Sequence, residues 1–380
     1  MQHLSESAGA VFAVLAEAGD ATRPRLAQLA GLSKPTVSGA VAELESAGLA
    51  TRTGTTTGTT GRSAAVYRIG PAAGTVLAVD LGSTHTAVRA CTLDGTVVAS
   101  RTARDEALPA EAVRGVLWGL ARERLGPVRG VVVAVPDVVR PASGRQRDHP
   151  MSPCTRPATP SIAAAVDALA LPSHLPVHIE NNVNCAALAE LHEGAAKGRH
   201  TFGYLQVGYG IGLGIVVGGH VLRGAGGAAG ELARLPYPWL PGRESVLEGM
   251  EAYVGAGALM RRVREGWTEG GVPEGAAELF TLAGNGHEAA ARFVAGHARE
   301  VGRLAAATVA VLDPGLIVLG GGIGANPQLL PGVRAELARL SWPTEVVGSE
   351  VGEDATVAGA ARLAVARGIQ TVTEGSDKKH

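Results

Sequence analysis

Aromatic side chains are scarce in this chain of 380 residues, which has four Phe, five Tyr and four Trp. A ring-rich core is excluded, and 53 glycines with abundant alanine point to close packing and many tight turns. Cysteine is scarcer still. Cys91, Cys154 and Cys185 lie far apart and form no Cys-x-x-Cys pair, which argues against a disulfide framework and for a reducing cytoplasm. No apolar run approaches the length of about 18 residues that a membrane helix needs. The first residues lack the basic-then-apolar pattern of a secretion signal. A net charge of −1 rules out a polycation. What is left is a chain long enough for two or three ordinary domains.

The charge is unevenly spread. Residues 22–70 hold six basic side chains (Arg23, Arg25, Lys34, Arg52, Arg62, Arg68) against Glu43 and Glu45. A basic head on a slightly acidic body fits phosphate contact, as it also fits a solvated basic surface. Ala8, Val11, Phe12 and Leu15 recur at helical spacing and predict a first helix, ended by Gly19-Asp20. Leu26, Leu29 and Ala30, then Val37, Val41 and Leu44, predict two more. Between them Gly31 suits a tight turn, and Ser33 is a good N-cap ahead of Lys34-Pro35. Residues 49–52 and 65–69 read as short strands around GTTTGTTGRS, a hairpin tip with little to bury. Three helices and such a hairpin make a winged helix-turn-helix, whose last helix enters the major groove.

On that helix Ser33, Lys34, Pro35, Thr36 and Ser38 are the expected DNA contacts, with Gly39 and Ala42 leaving room for close approach. Arg52 and Arg62 are the expected wing contacts, near phosphate or a narrow minor groove. The alternative is a winged helix that binds protein. Residues 70–74 (GPAAG) read as a linker.

Three glycine-rich elements follow. An apolar strand enters Asp80-Leu81-Gly82-Ser83-Thr84, leaves in a second strand, and turns at Asp94-Gly95 into a third. Backbone N–H groups of the 80–84 turn suit a phosphate, and an ordinary glycine hairpin explains it equally well. Residues 205–231 place glycines at 208, 210, 212 and 214 between apolar residues at strand period, then a hairpin at Gly218-Gly219. Residues 311–324 read as a helix end, a buried strand and a triple-glycine turn. Two such lobes with facing glycine turns suggest an ATP-grasping kinase body.

In order and spacing these segments resemble the ROK family of repressors, open reading frames and sugar kinases. The resemblance covers the head, the 80–84 turn, the helix start at 179–190, the 208–231 segment and the 320–322 turn. It implies an α/β fold, with the winged head (1–70) followed by a body (71–380) of two actin-like, ribonuclease-H-like lobes, about 75–180 and 181–370. It implies a sugar site between the lobes, and dimers or tetramers. Asp80, Gly82, Thr84, Gly208 and Gly210 are the nucleotide positions it implies, relics if ATP no longer binds.

The chain departs from the family at the chemistry. Family kinases carry Glu-Asn-Asp-x-Asn, whose Asp takes the proton of the attacking hydroxyl. Here the run is Glu180-Asn181-Asn182-Val183-Asn184, and a carboxamide at Asn182 cannot serve as that base. No catalytic residue is therefore assigned. General base catalysis is worth about 10²–10⁴ in rate, so phosphoryl transfer should be crippled while Asn182 still hydrogen-bonds a hydroxyl. The family also holds a structural zinc with one His and three Cys. Arg234 falls at the His, an ungapped placement puts Trp239, Pro241 and Val246 at the Cys positions, and no Cys follows Cys185. No zinc and no other metal is expected.

Asn181, Glu231 and Glu248 match the positions that bind sugar hydroxyls, and with Asn182 and Arg234 they form the expected ligand set. Arg234 suits an acidic ligand such as a sugar phosphate or uronic acid, or else points to solvent or pairs with a neighbouring carboxylate. In the first lobe Pro136-Asp137 stands for the family's Pro-Gly, and Met151-Ser152-Pro153 for its Asn-Leu. The resulting expectation is a regulator, most readily a repressor, that binds an inverted-repeat operator in double-stranded DNA and senses a sugar or sugar phosphate. Its alternatives are a regulator without an effector and an active sugar kinase.

Overall fold

The structure is a computed structural model that describes residues 4–57, 63–82, 85–104, 109–141, 154–157, 159–238, 241–247 and 249–374. Contacts divide the chain into two compact units. The first comprises residues 1–135, 159–180 and 360–380, and the second 136–158 and 181–359. The winged head and the end of the C-terminal helix thus belong to the first unit. Among the described residues no helix is long and apolar enough to cross a membrane.

In the head, α1 (Glu6–Ala18) starts at Ser5, whose hydroxyl accepts from the Ala8 N–H, and stops at Gly19 with φ 67°. Next come β1 (Ala21–Thr22), α2 (Arg23–Ala30), α3 (Lys34–Ser46), β2 (Ala50–Thr57) and β3 (Ser63–Ile69). The expected stripes close the core, since Ala8, Val11, Phe12, Leu15, Leu26, Val37, Val41 and Leu44 are all fully buried. Leu29 departs from expectation at 41% exposure, because the eight-residue α2 buries Leu26 alone. The Gly/Thr run departs as well. Its described residues are strand, with Thr55, Thr56 and Thr57 pairing with Ala65, Ala64 and Ser63. Threonine is β-branched and favours extended backbone without needing a core. Two-residue β1 adds a third strand beside β3, too short to signal itself in sequence.

The first unit continues in the sheet order β10-β7-β4-β5-β6, from β4 (Thr75–Leu81), β5 (His85–Thr92), β6 (Val97–Arg104), β7 (Val128–Val135) and β10 (Val177–Asn181). Helices α4 (Pro109–Glu123) and α5 (Pro160–Asp167) belong to it. The hairpin at Asp94-Gly95 forms as expected, with Gly95 at φ 83°. The pair β8 (Val139–Pro141) and β9 (Cys154–Pro157) lies in the second unit.

The second unit has the order β13-β12-β11-β14-β15, from β11 (Phe202–Val207), β12 (Ile211–Val217), β13 (His220–Val221), β14 (Leu316–Gly320) and β15 (Glu345–Gly348). Both sheets run three successive antiparallel strands and then add a parallel one beside the first. The two lobes are therefore the same topology twice. Helices α6 (Asn182–Glu193), α7 (Gly249–Val254), α8 (Ala256–Gly266), α9 (Ala276–Gly284), α10 (Glu288–Leu312), α11 (Gly321–Gly324) and α12 (Leu330–Leu340) complete it. The last helix, α13 (Ala355–Glu374), begins in the second unit and ends in the first.

The core of the second unit is aliphatic, built on Leu205, Leu259, Val301, Ile317 and Leu319. His297 of α10 is buried, its Nδ1 3.3 Å from an Arg262 guanidinium nitrogen. Burial, then the Arg262 charge, push its pKa down from 6.5 to about 4. The folded state thus disfavours the proton that the unfolded chain takes up near pH 6.5. This contribution to stability is present above pH 6.5 and is lost as pH falls toward 4, about 3 kcal/mol in all. Between pH 7 and pH 5 the wild type should lose about 2 kcal/mol more than a His297→Leu variant does, in denaturant melts. Equal losses in the two proteins would refute it.

Candidate functional site

Two regions bring the sequence candidates together, one in each unit. In the head, α2 closes on Gly31 in the left-handed conformation, φ 66°, its N–H bonded to the Ala27 carbonyl. Two residues later Ser33 caps α3, accepting from the Thr36 N–H at 3.3 Å, and the two hydroxyls lie 2.7 Å apart. One face of α3 is buried through Val37, Ala40, Val41 and Leu44. The opposite face leaves Ser33, Lys34, Pro35, Thr36, Ser38, Gly39 and Ala42 exposed, as a groove-reading helix requires. Glu43 fixes this helix to α1 by accepting from the Ser5 N–H at 2.8 Å and hydroxyl at 2.6 Å, which holds its carboxyl below the usual range.

The positive charge of the head is smaller than its count. Arg68 is paired with Asp20 at 2.7 Å and 3.1 Å. Arg23 lies 3.5 Å from Glu45 and over the Tyr67 ring. Lys34, Arg52 and Arg25 are exposed, and Arg25 donates to the Gln28 side chain at 3.0 Å. Arg62 lies outside the described residues.

In the second unit, Asn181 ends β10 and caps α6. Its Oδ1 accepts from the Val183 and Asn184 N–H groups at 2.9 Å and 3.1 Å, and its Nδ2 donates to the Asp137 carbonyl at 3.1 Å. Asn182 follows, half-buried, its Oδ1 2.9 Å from the Val183 nitrogen. Glu231 is placed by glycine geometry. At Gly230, φ 86°, any Cβ would strike the Leu213 carbonyl, and at Gly227, φ 82°, the Val139 carbonyl. Arg234 pairs with Glu231, Nε to Oε2 3.8 Å, leaving the Arg side chain 48% exposed. Burial first, and then the charges of Asp137 and Glu251, push the Glu231 carboxyl above its usual range, while Arg234 pulls it down.

Glu251 was not singled out by sequence reasoning. Its Oε2 accepts from the Ile211 N–H at 3.2 Å and lies beside Gly210. Glu248 lies outside the described residues. The two acids are three positions apart in sequence. That turn is tight, with the Gly208 N–H donating to the Gly210 carbonyl at 3.0 Å and the Ala256 N–H donating to the Gly208 carbonyl at 2.8 Å. Asp80 and Gly82 lie in the first unit. Asp80 is buried, one carboxylate oxygen 3.5 Å from His85 Nε2 and the other without a hydrogen-bond partner among the described residues. Thr84 lies outside the described residues. In the segment that stands where the family holds its zinc, Tyr237 pairs with Val246 across a β-bridge and stacks on Tyr253 at 4.3 Å. Trp239 lies outside the described residues.

Residues 76–367 match the model of the ROK family, and residues 4–63 match that of the MarR family. A crystal structure of a ROK family transcriptional regulator, described as a homolog of the E. coli MLC protein, superposes on 96% of this chain and 97% of its own. Its identity is 21% and its TM-score 0.69. A ROK hexokinase from Thermus thermophilus is 31% identical over 77% of this chain and 98% of its own, with a TM-score of 0.57. The bifunctional enzyme NanE/NanK of Brucella melitensis is 32% identical over 50% of this chain and 35% of its own length, so the chain spans about a third of that relative. The chain belongs to the ROK family.

Proposed function

We propose that this ROK-family chain is a DNA-binding transcriptional repressor whose body binds a sugar-derived ligand without phosphorylating it. One observation carries the reading. A winged head with an open α3 face precedes a sugar-type site that keeps Asn181 and Glu231, gains Glu251, and has Asn182 where a base is required. A hydroxyl-rich ligand suits such a site, because carboxylates accept from hydroxyls and carboxamides both accept and donate. Charge selects within that class. Among the described residues the charges of Asp137 and Glu251 act on Glu231 against that of Arg234, so a neutral sugar is favoured over a sugar phosphate or uronic acid. Two copies of the chain would place two heads on an inverted repeat with half-sites about one or two helical turns apart.

The second reading is a regulator without an effector, and the Arg234–Glu231 pair favours it by occupying a carboxylate that a sugar would use. DNA binding by the purified full chain, with neutral sugars, amino sugars, uronic acids and sugar phosphates each added with and without Mg-ATP, separates the two. A neutral sugar at about 100 times its dissociation constant should add roughly 2.7 kcal/mol of stability, shift operator affinity, and emerge unphosphorylated. Asn181→Ala should abolish the response. A flat panel from a cooperatively folded protein would select the effector-free regulator, and a phosphorylated product would select the kinase.

A further inference from the structure

The connection between head and body is not slack. Residues 70–74 wind into a 3-10 turn, Pro71–Ala73, with Ala73 fully buried. Arg129, at the start of β7, reaches across 56 residues of sequence and grips this turn with a fork. Its Nε donates to the Ala73 carbonyl at 2.8 Å and a terminal nitrogen donates to the Ala72 carbonyl at 2.5 Å. The loop before β7 interlocks with the same turn. A Cβ at Gly74 would overlap the Pro127 carbonyl, one at Gly126 would overlap the Pro71 carbonyl, and the Thr75 N–H donates to the Pro127 carbonyl at 2.9 Å. Helix α13 braces both sides, with Gly368 against Val76, Leu93 and the Arg129 stem, and Thr373 against Gly9 of α1. All of these residues lie in the first unit.

We propose that Arg129 is a positioning residue for DNA binding: its guanidinium fork locks the head onto the first lobe, so the body fixes the distance between paired heads. This rests on the DNA-binding reading above. A flexible tether lets two heads reach half-sites at many separations, whereas a locked joint admits few. An arginine fork is planar and bidentate, and neither lysine nor glutamine reproduces it.

The test uses the full chain and double-stranded DNA that the wild type selects from a random pool. Half-site spacing is then varied, and a single half-site is measured alongside. A change of about five base pairs, half a helical turn, should cost the wild type at least about tenfold in affinity. Arg129→Gln and Arg129→Lys should lose less than about threefold, with single-half-site affinity within about twofold of wild type. An unchanged spacing profile, or half-site affinity falling in parallel, would overturn the proposal. Elastase, which cuts after small residues, reads the joint without DNA. Cleavage at Ala72 or Ala73 should be at least about tenfold faster in the variants, and equal rates would overturn the lock. A chain that selects no DNA sinks the DNA-binding reading and the positioning role together, while the elastase rates still report whether the joint is locked.

Discussion

Replacing Gly39 by glutamate is expected to abolish operator binding while leaving the head as stable as before. Gly39 sits on the exposed face of α3, and a Cβ built there meets no heavy atom within 4 Å. Its φ is not in the left-handed region, so any side chain fits the helix. A glycine inside a helix costs about 0.5–1 kcal/mol relative to alanine, and glutamate recovers most of that. Repulsion from Glu43, four residues on, takes back about 0.2–0.5 kcal/mol. The net change in stability is therefore near zero or slightly favourable. In the groove the same carboxylate meets a wall of phosphates and replaces a surface that admitted close approach. A loss of at least about 100-fold, more than 2.7 kcal/mol, is expected in anisotropy titrations at fixed salt. Gly39→Ala should gain stability and lose only a few-fold in affinity. A Gly39→Glu protein that melts like the wild type and still binds the operator would show that α3 does not enter the groove.

The face that carries this test was legible in sequence because helical periodicity and capping are local. Ser33, Gly31 and the Val37/Val41/Leu44 stripe each act within a turn of themselves. The duplicated lobes were legible for a related reason, since glycine turns and strand alternation at 80–82, 94–95 and 205–219 repeat in the same order. What escaped was set by contacts between distant residues. Arg68 and Arg23 look like phosphate ligands until Asp20 and Glu45 take them. Glu251 comes to the 208–211 turn only through the Ile211 N–H, 40 residues away. The grip of Arg129 on residues 72 and 73 has no periodicity at all, and residues 70–74 read as a linker for that reason. Helix α13 likewise carries no mark that its residues from 360 on belong with the first unit.

Removing the Glu190 carboxylate is expected to destabilise the second unit strongly. Glu190 lies in the last turn of α6 and is fully buried. One oxygen takes a short hydrogen bond from the Ser349 hydroxyl and accepts from the Val351 N–H at 3.2 Å; the other accepts from the Ala195 and Glu350 N–H groups at 2.8 Å and 3.4 Å. The carboxylate thus ties α6 to the loop after β15. Glu190→Ala leaves four part-buried donors without their acceptor and opens a cavity where a buried carboxylate stood, at a cost of about 3–5 kcal/mol in denaturant melts. That is a large share of the 5–15 kcal/mol that holds a typical domain together. Glu190→Gln keeps the shape but turns an N–H toward donors that need an oxygen, so it should fall about midway. A melt within about 1 kcal/mol of wild type for Glu190→Ala would mean the loop relaxes and the network contributes little. The consequence for the site follows from the helix itself. Asn181 caps α6 and Glu190 anchors its last turn, so hydrogen exchange over residues 183–193 should quicken in Glu190→Gln.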